Sequence, residues 1–100
     1  MASQVQEEFY QHLEKMVAYL DSFIVTGSDQ ELFIASYLHG HFDLAVVQAE
    51  QAQGVSIKTR FDVLFSQLSR QLDSAFKNNE LTDADQKQVT ELVTTLSELA

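Results

Sequence analysis

The stretch whose residue types could most readily do chemistry is SYLHGHFDLA, at positions 36–45, with two histidines and an aspartate. Histidine serves as a general base or a metal ligand, and an aspartate can orient it or bind the metal itself. His39 and His41 are two residues apart, however, and side chains with that spacing on a helix point about 200° away from each other. The two histidines therefore cannot bind one metal ion as a pair.

These two histidines have different neighbours on the helix. His39 and Asp43 are four residues apart and share a face, which predicts a weakly stabilising pair in solvent. His41 falls between two apolar faces, near Ile34 and Tyr37. We expect His41 to be a buried structural histidine with a hydrogen-bond partner. A role in ligand binding or proton transfer is the alternative for His41.

Other motifs for catalysis or metal binding are incomplete or missing. Di-metal bundles need Glu-x-x-His motifs on two helices, whereas Glu8 and His12 form a single pair with a different spacing. The segment TDADQ has two aspartates at calcium-loop spacing but lacks the glycine and the terminal glutamate of such a loop. The sequence has no cysteine, no glycine-rich phosphate loop and no motif that pairs a serine with a base. We therefore expect no catalytic residue, no metal ligand and no cofactor.

Length and charge narrow the class of protein further. A chain of 100 residues with 45% hydrophobic residues predicts a single domain over residues 1–100. The net charge of −9 disfavours binding to nucleic acid and to anionic membranes. The N-terminal MASQVQEEFYQH lacks the pattern of a signal peptide, and the apolar runs are far shorter than the ~20 residues of a membrane span. We expect a cytoplasmic protein.

The elements that position these residues are four predicted helices. The absence of proline and the presence of only three glycines favour helices, and apolar residues recur every three or four positions over about 3–25, 29–53, 57–77 and from 83 onward. The predicted N-caps are Ser28 (in a capping box with Glu31), Ser56 and Thr82. Gly54 is expected to end the second helix, and Asn78 or Asn79 the third. Short connections favour antiparallel neighbours, so we predict an all-α, four-helix up-and-down bundle.

The second predicted helix is apolar on two sides. One side carries the core residues expected of any bundle helix, including Ile34, Leu38, Phe42 and Ala45, and the other carries Phe33, Tyr37, Gly40, Leu44 and Val47. A bundle helix normally needs one apolar stripe. The second side therefore predicts a homodimer through this helix or contact with another protein, with burial under loops and helix ends as the alternative.

Gly40 lies within that second side. A glycine inside a helix costs about 1 kcal/mol relative to alanine, so a structural reason is expected. We predict close approach of another helix, either inside the bundle or from another chain. Simple tolerance of the glycine is the alternative.

The segments DQELFIASYLHGHFDLA (29–45) and NNELTDADQKQVTELVTTL (78–96) resemble the YfcL family of small bacterial proteins. The resemblance covers most of the chain from about Met16 on. The matching positions in the second helix are Glu31, Leu32, Phe33, Tyr37, Leu38, Gly40, His41 and Ala45. The resemblance implies a cytosolic protein without an assigned activity, and it brings no catalytic residue with it.

These observations lead to two functional hypotheses. The first is a non-catalytic helical module that self-associates or binds a helical or basic protein. The second is a bundle that binds a small ligand or a metal in a pocket near His41. The candidate interaction residues are Phe33, Tyr37, Gly40, His41, Leu44 and Val47.

Overall fold

The computed structural model describes the backbone of residues 2–51 and 56–99, and the side chains of residues 6–51 and 56–99. Over these residues the chain forms four α-helices: α1 (Ala2–Thr26), α2 (Asp29–Glu50), α3 (Ile57–Lys77) and α4 (Asp83–Leu99). The predicted all-α, four-helix fold is confirmed. Helix α2 ends at Glu50, earlier than predicted, and Gly54 lies outside the described residues.

Local sequence signals set the helix ends. Ser28 and Glu31 form the predicted capping box, in which each side chain accepts a hydrogen bond from the other residue's backbone N–H. The hydroxyls of Ser56 and Thr82 accept hydrogen bonds from backbone N–H groups in the first turns of α3 and α4, at 3.2 and 3.1 Å. Asn79 takes the left-handed conformation after α3, with φ of 59°. The helices α2, α3 and α4 therefore begin at the predicted N-caps, and α3 ends at the predicted asparagines.

The turn between α1 and α2 depends on Gly27. Its N–H donates to the carbonyl oxygen of Phe23 at 3.0 Å. A Cβ atom at position 27 would lie 2.7 Å from that same oxygen, which is closer than real contacts allow. A side chain at this position would therefore force the turn to shift, and with it the start of α2.

The four helices share one hydrophobic core. Phe9, Leu38, Leu64 and Val89, one from each helix, are all fully buried in it. Helices α1 and α2 each pack against all three other helices, whereas α3 and α4 scarcely touch each other. No helix in the described part of the chain is both long enough and apolar enough to cross a membrane.

Candidate interaction face on the second helix

The two apolar sides of α2 have different surroundings. Its core side is buried, through Ile34, Ala35, Leu38, Phe42, Ala45 and Ala49. The opposite side, which we call the outer face, consists of Phe33, Tyr37, Gly40, Leu44 and Val47. Phe33, Leu44 and Val47 remain 48%, 52% and 51% exposed. The described loops and helix ends therefore leave these three side chains about half-exposed, so the alternative of burial inside the monomer does not hold for them.

Gly40 lies at the centre of the outer face and is open to solvent. Among the described residues, a Cβ atom built at this position would have no neighbour within 4 Å beyond the adjacent backbone of α2 itself. The prediction of close helix approach inside the bundle is therefore wrong for the described helices α1, α3 and α4, none of which reaches this position. Contact at Gly40 with another chain stays a prediction.

His41 sits at the edge of the outer face, where α2 meets α3. Its Nδ1 lies 2.9 Å from Oε1 of Gln71, and Nδ1 is the donor because an amide oxygen only accepts. Nε2 of Gln71 in turn donates to Oε1 of Gln48 at 3.4 Å. His41 is half-buried, rather than buried as predicted. Its contacts are those of a hydrogen-bonded structural histidine.

Tyr37 ties the same edge to the turn that follows α3. Its hydroxyl donates to Oε1 of Glu80 at 3.0 Å. Burial raises the pKa of Tyr37 to about 12, and the hydrogen bond to Glu80 and the charge of that carboxylate act in the same direction. The Tyr37 ring also lies between those of Phe33 and His41, with centroids 6.4 and 5.0 Å away. Phe33, Tyr37 and His41 therefore form an aromatic row beside Gly40.

The other edge of the outer face is acidic. Asp29, Asp43 and Glu50 lie along it, and α2 contains neither lysine nor arginine. Asp43 Oδ1 is 3.3 Å from Nε2 of His39, and both side chains are solvent-accessible, as predicted for this pair. The outer face therefore has one edge that packs on α3 and one edge that carries carboxylates into solvent.

Two cavities lie elsewhere on the bundle. One, of about 430 Å³, is lined by residues of α1, α2 and α4 that include Phe23 and Glu91. The other, of about 480 Å³, is lined by residues of α1, α3 and α4 that include His12 and Phe61. Neither cavity is lined by His41, so the hypothesis of a ligand pocket there gains no geometric support. Within residues 2–51 and 56–99, no group of three or more His, Cys, Asp or Glu residues could hold a metal ion.

Comparison with known proteins shows the family of this chain. Residues 7–98 match the model of the YfcL family, described as YfcL protein. The chain belongs to the YfcL family. A protein of Escherichia coli (strain K12), described as "Uncharacterized protein YfcL", is 31% identical over 78 residues, which cover 78% of this chain and 80% of that relative. No solved structure matches the chain.

The match to the YfcL family includes the whole of α2, and hence the outer face and both of its edges. The family description names no activity, ligand or partner. The structure brings the six predicted interaction residues together, since five form the outer face, with Gly40 at its centre, and His41 lies at its edge. Sequence reasoning did not find Gln71 and Glu80, the partners of His41 and Tyr37, because they belong to distant parts of the chain.

Proposed function

We propose that this protein is a non-catalytic interaction module that uses the outer face of α2 to bind a helix of a protein partner. The observation that carries the proposal is the half-exposure of Phe33, Leu44 and Val47 on one side of a helix. Contiguous exposed apolar surface rimmed by polar groups marks interaction sites on soluble domains. The opposite side of α2 is anchored in the core, so the outer face is presented on a rigid element.

The side chains that could do chemistry on α2 support a non-catalytic role. His41 donates to Gln71 within the seam between α2 and α3, and His39 pairs with Asp43 on the helix surface. Neither histidine is held against a nucleophilic side chain by a described hydrogen bond. The proposed location is the cytoplasm, which is compatible with a chain that has no cysteine and so forms no disulfide.

Site-specific photo-crosslinking in Escherichia coli cells that express the chain tests this proposal. A photoreactive phenylalanine analogue at position 44 should give a discrete adduct, and Val47→Glu should abolish it. The matched control is Val25→Glu, because Val25 is an exposed apolar residue of α1 outside the outer face; this change should leave the adduct intact.

The crosslinking has two contradicting outcomes. Equal loss of the adduct in the Val47→Glu and Val25→Glu variants would contradict a role for the outer face. A chain that gives no adduct from position 44, and stays monomeric by native mass measurement, would do the same.

A further inference from the structure

The outer face of α2 has the spacing of a coiled-coil seam. Its members follow one another at intervals of four, three, four and three residues, from Phe33 to Val47. That alternation is the heptad pattern whose side chains pack as knobs into the holes of a facing helix. The 22 residues of α2 form a helix about 33 Å long. The shape of the outer face therefore fits one helix laid along α2, with the opening at Gly40 beneath its middle.

The two edges of this seam are occupied differently. Asp29, Ser36, Asp43 and Glu50 follow one another at intervals of seven residues along one edge. The first three are exposed and Glu50 is half-buried. Ile34, His41 and Gln48 occupy the equivalent positions on the other edge. There Ile34 is buried, and His41 and Gln48 bond to Gln71 of α3. Among the residues of α2 itself, a facing helix therefore meets carboxylates along the acidic edge alone.

A second copy of this chain fits the seam poorly. In an antiparallel pair related by a two-fold axis at Gly40, acidic edge meets acidic edge, and Asp29 of each copy lies opposite Glu50 of the other. Like charges at such flanking positions disfavour pairing. In a parallel pair, the acidic edge of each copy would meet the edge that α3 already covers. With a net charge of −9 on each chain, long-range repulsion opposes both arrangements.

We infer that the occupant of the outer face is a basic amphipathic helix of another protein, an inference that rests on the proposed function. Apolar residues of that helix pack into the seam around Gly40. Lysine or arginine residues spaced by seven along one edge face Asp29, Asp43 and Glu50. At the opposite edge the carboxylate of Glu80 already accepts a hydrogen bond from Tyr37, so the partner's positive charge is assigned to the acidic edge.

The test uses a labelled synthetic peptide of leucines at seam positions and lysines at flanking positions, with a leucine and glutamate peptide of the same pattern as its counterpart. Fluorescence anisotropy gives the Kd for the full chain and its variants. The Asp43→Asn/Glu50→Gln variant should weaken binding of the lysine peptide roughly fivefold to tenfold, as expected for two charge pairs. The control Glu14→Gln/Asp73→Asn removes the same charge at exposed positions on α1 and α3 and should change the Kd less than about twofold.

A third variant, Leu44→Ser, separates the two levels of the proposal. It should weaken binding of the lysine peptide at unchanged net charge, because Leu44 belongs to the apolar seam. If Leu44→Ser leaves the Kd unchanged, the outer face is not the binding surface, and both the proposed function and this inference fail. If Leu44→Ser weakens binding but the two charge variants behave alike, only the inference fails.

Two further results would overturn the inference alone. One is binding of the glutamate peptide as tight as that of the lysine peptide, or no binding of the lysine peptide at all. The other is a dimer in native mass measurement that Leu44→Ser dissociates, because a second copy would then be the occupant of the outer face.

Discussion

The two sides of α2 are both apolar, yet one is buried and the other is not. Leu38 on the core side is fully buried, whereas Leu44 on the outer face is half-exposed. The difference arises because the described parts of α1, α3 and α4 bury the core side of α2 and leave Phe33, Leu44 and Val47 about half-exposed. An apolar stripe therefore predicts that one side of a helix is stabilised by burial. Whether that burial occurs within the chain depends on how the other helices are arranged.

The largest expected difference between the two sides is in the cost of truncating a leucine. Leu38→Ala should lower the free energy of unfolding by about 2–5 kcal/mol, because it leaves a cavity in the core. Leu44→Ala should lower it by less than about 1 kcal/mol, because half of that side chain is already in water. Urea denaturation of both variants measures the difference. Equal costs would mean that the two sides of α2 are assigned the wrong way round.

A smaller difference in stability is expected between variants of the two histidines, which lie at opposite edges of the outer face. His41→Ala should cost about 1 kcal/mol of stability, because it removes a half-buried hydrogen bond to Gln71. His39→Ala should be close to neutral, because its pair with Asp43 lies in solvent. Thermal denaturation of the two variants, side by side with the wild-type chain, decides whether the α3 edge and the acidic edge differ in this way.

Substitution of Gly40 should raise the free energy of unfolding, whereas the substitutions above lower it or leave it unchanged. Because a Cβ atom there meets nothing within 4 Å, Gly40→Ala should raise the stability of the monomer by up to about 1 kcal/mol through helix propensity. Chemical denaturation at low protein concentration measures this gain. A destabilised monomer would show that another part of the chain approaches Gly40 after all.

The last comparison concerns Tyr37, whose effect appears only at alkaline pH. The pKa of Tyr37 in the folded chain is raised from 10.0 to about 12, chiefly by burial and then by Glu80. Folding therefore favours the neutral phenol, and its contribution to stability is complete below pH 10 and is lost as the pH rises from about 10 through about 12. Urea midpoints of the wild-type chain and the Tyr37→Phe variant should accordingly converge over this range. The wild-type-minus-variant absorbance titration reports the pKa itself, and an ordinary pKa near 10 would contradict burial of this hydroxyl.

Most of the fold was predictable because its determinants are local. The capping box at Ser28 and Glu31 and the left-handed Asn79 each depend on a few adjacent residues, and the structure contains both. The register of the core was predictable for a similar reason, since the 3.6-residue period places Leu38 and Phe42 on one side of α2. These signals are strong in a chain that has no proline to interrupt them.

The candidate site was only partly predictable because its determinants are not local. The 3.6-residue period of the apolar residues identified the outer face of α2, but it could not show that none of the described helices lies over Gly40. It also could not identify Gln71 as the partner of His41, which is 30 residues away in the chain. The acidic edge could have been found from the sequence, since Asp29, Asp43 and Glu50 recur at multiples of seven residues.

The scarcity of contact between α3 and α4 has a consequence for the motions of the molecule. Helix α4 is the shortest of the four described helices and is held mainly by α1 and α2, whereas α3 packs extensively along α2. Loss of α4 from the bundle therefore breaks few contacts of α3, and α4 forms a natural unit of partial unfolding. Its amide hydrogens should exchange with deuterium faster than those of α2 and α3. Uniform exchange across all four helices would instead indicate that the bundle opens only as a whole.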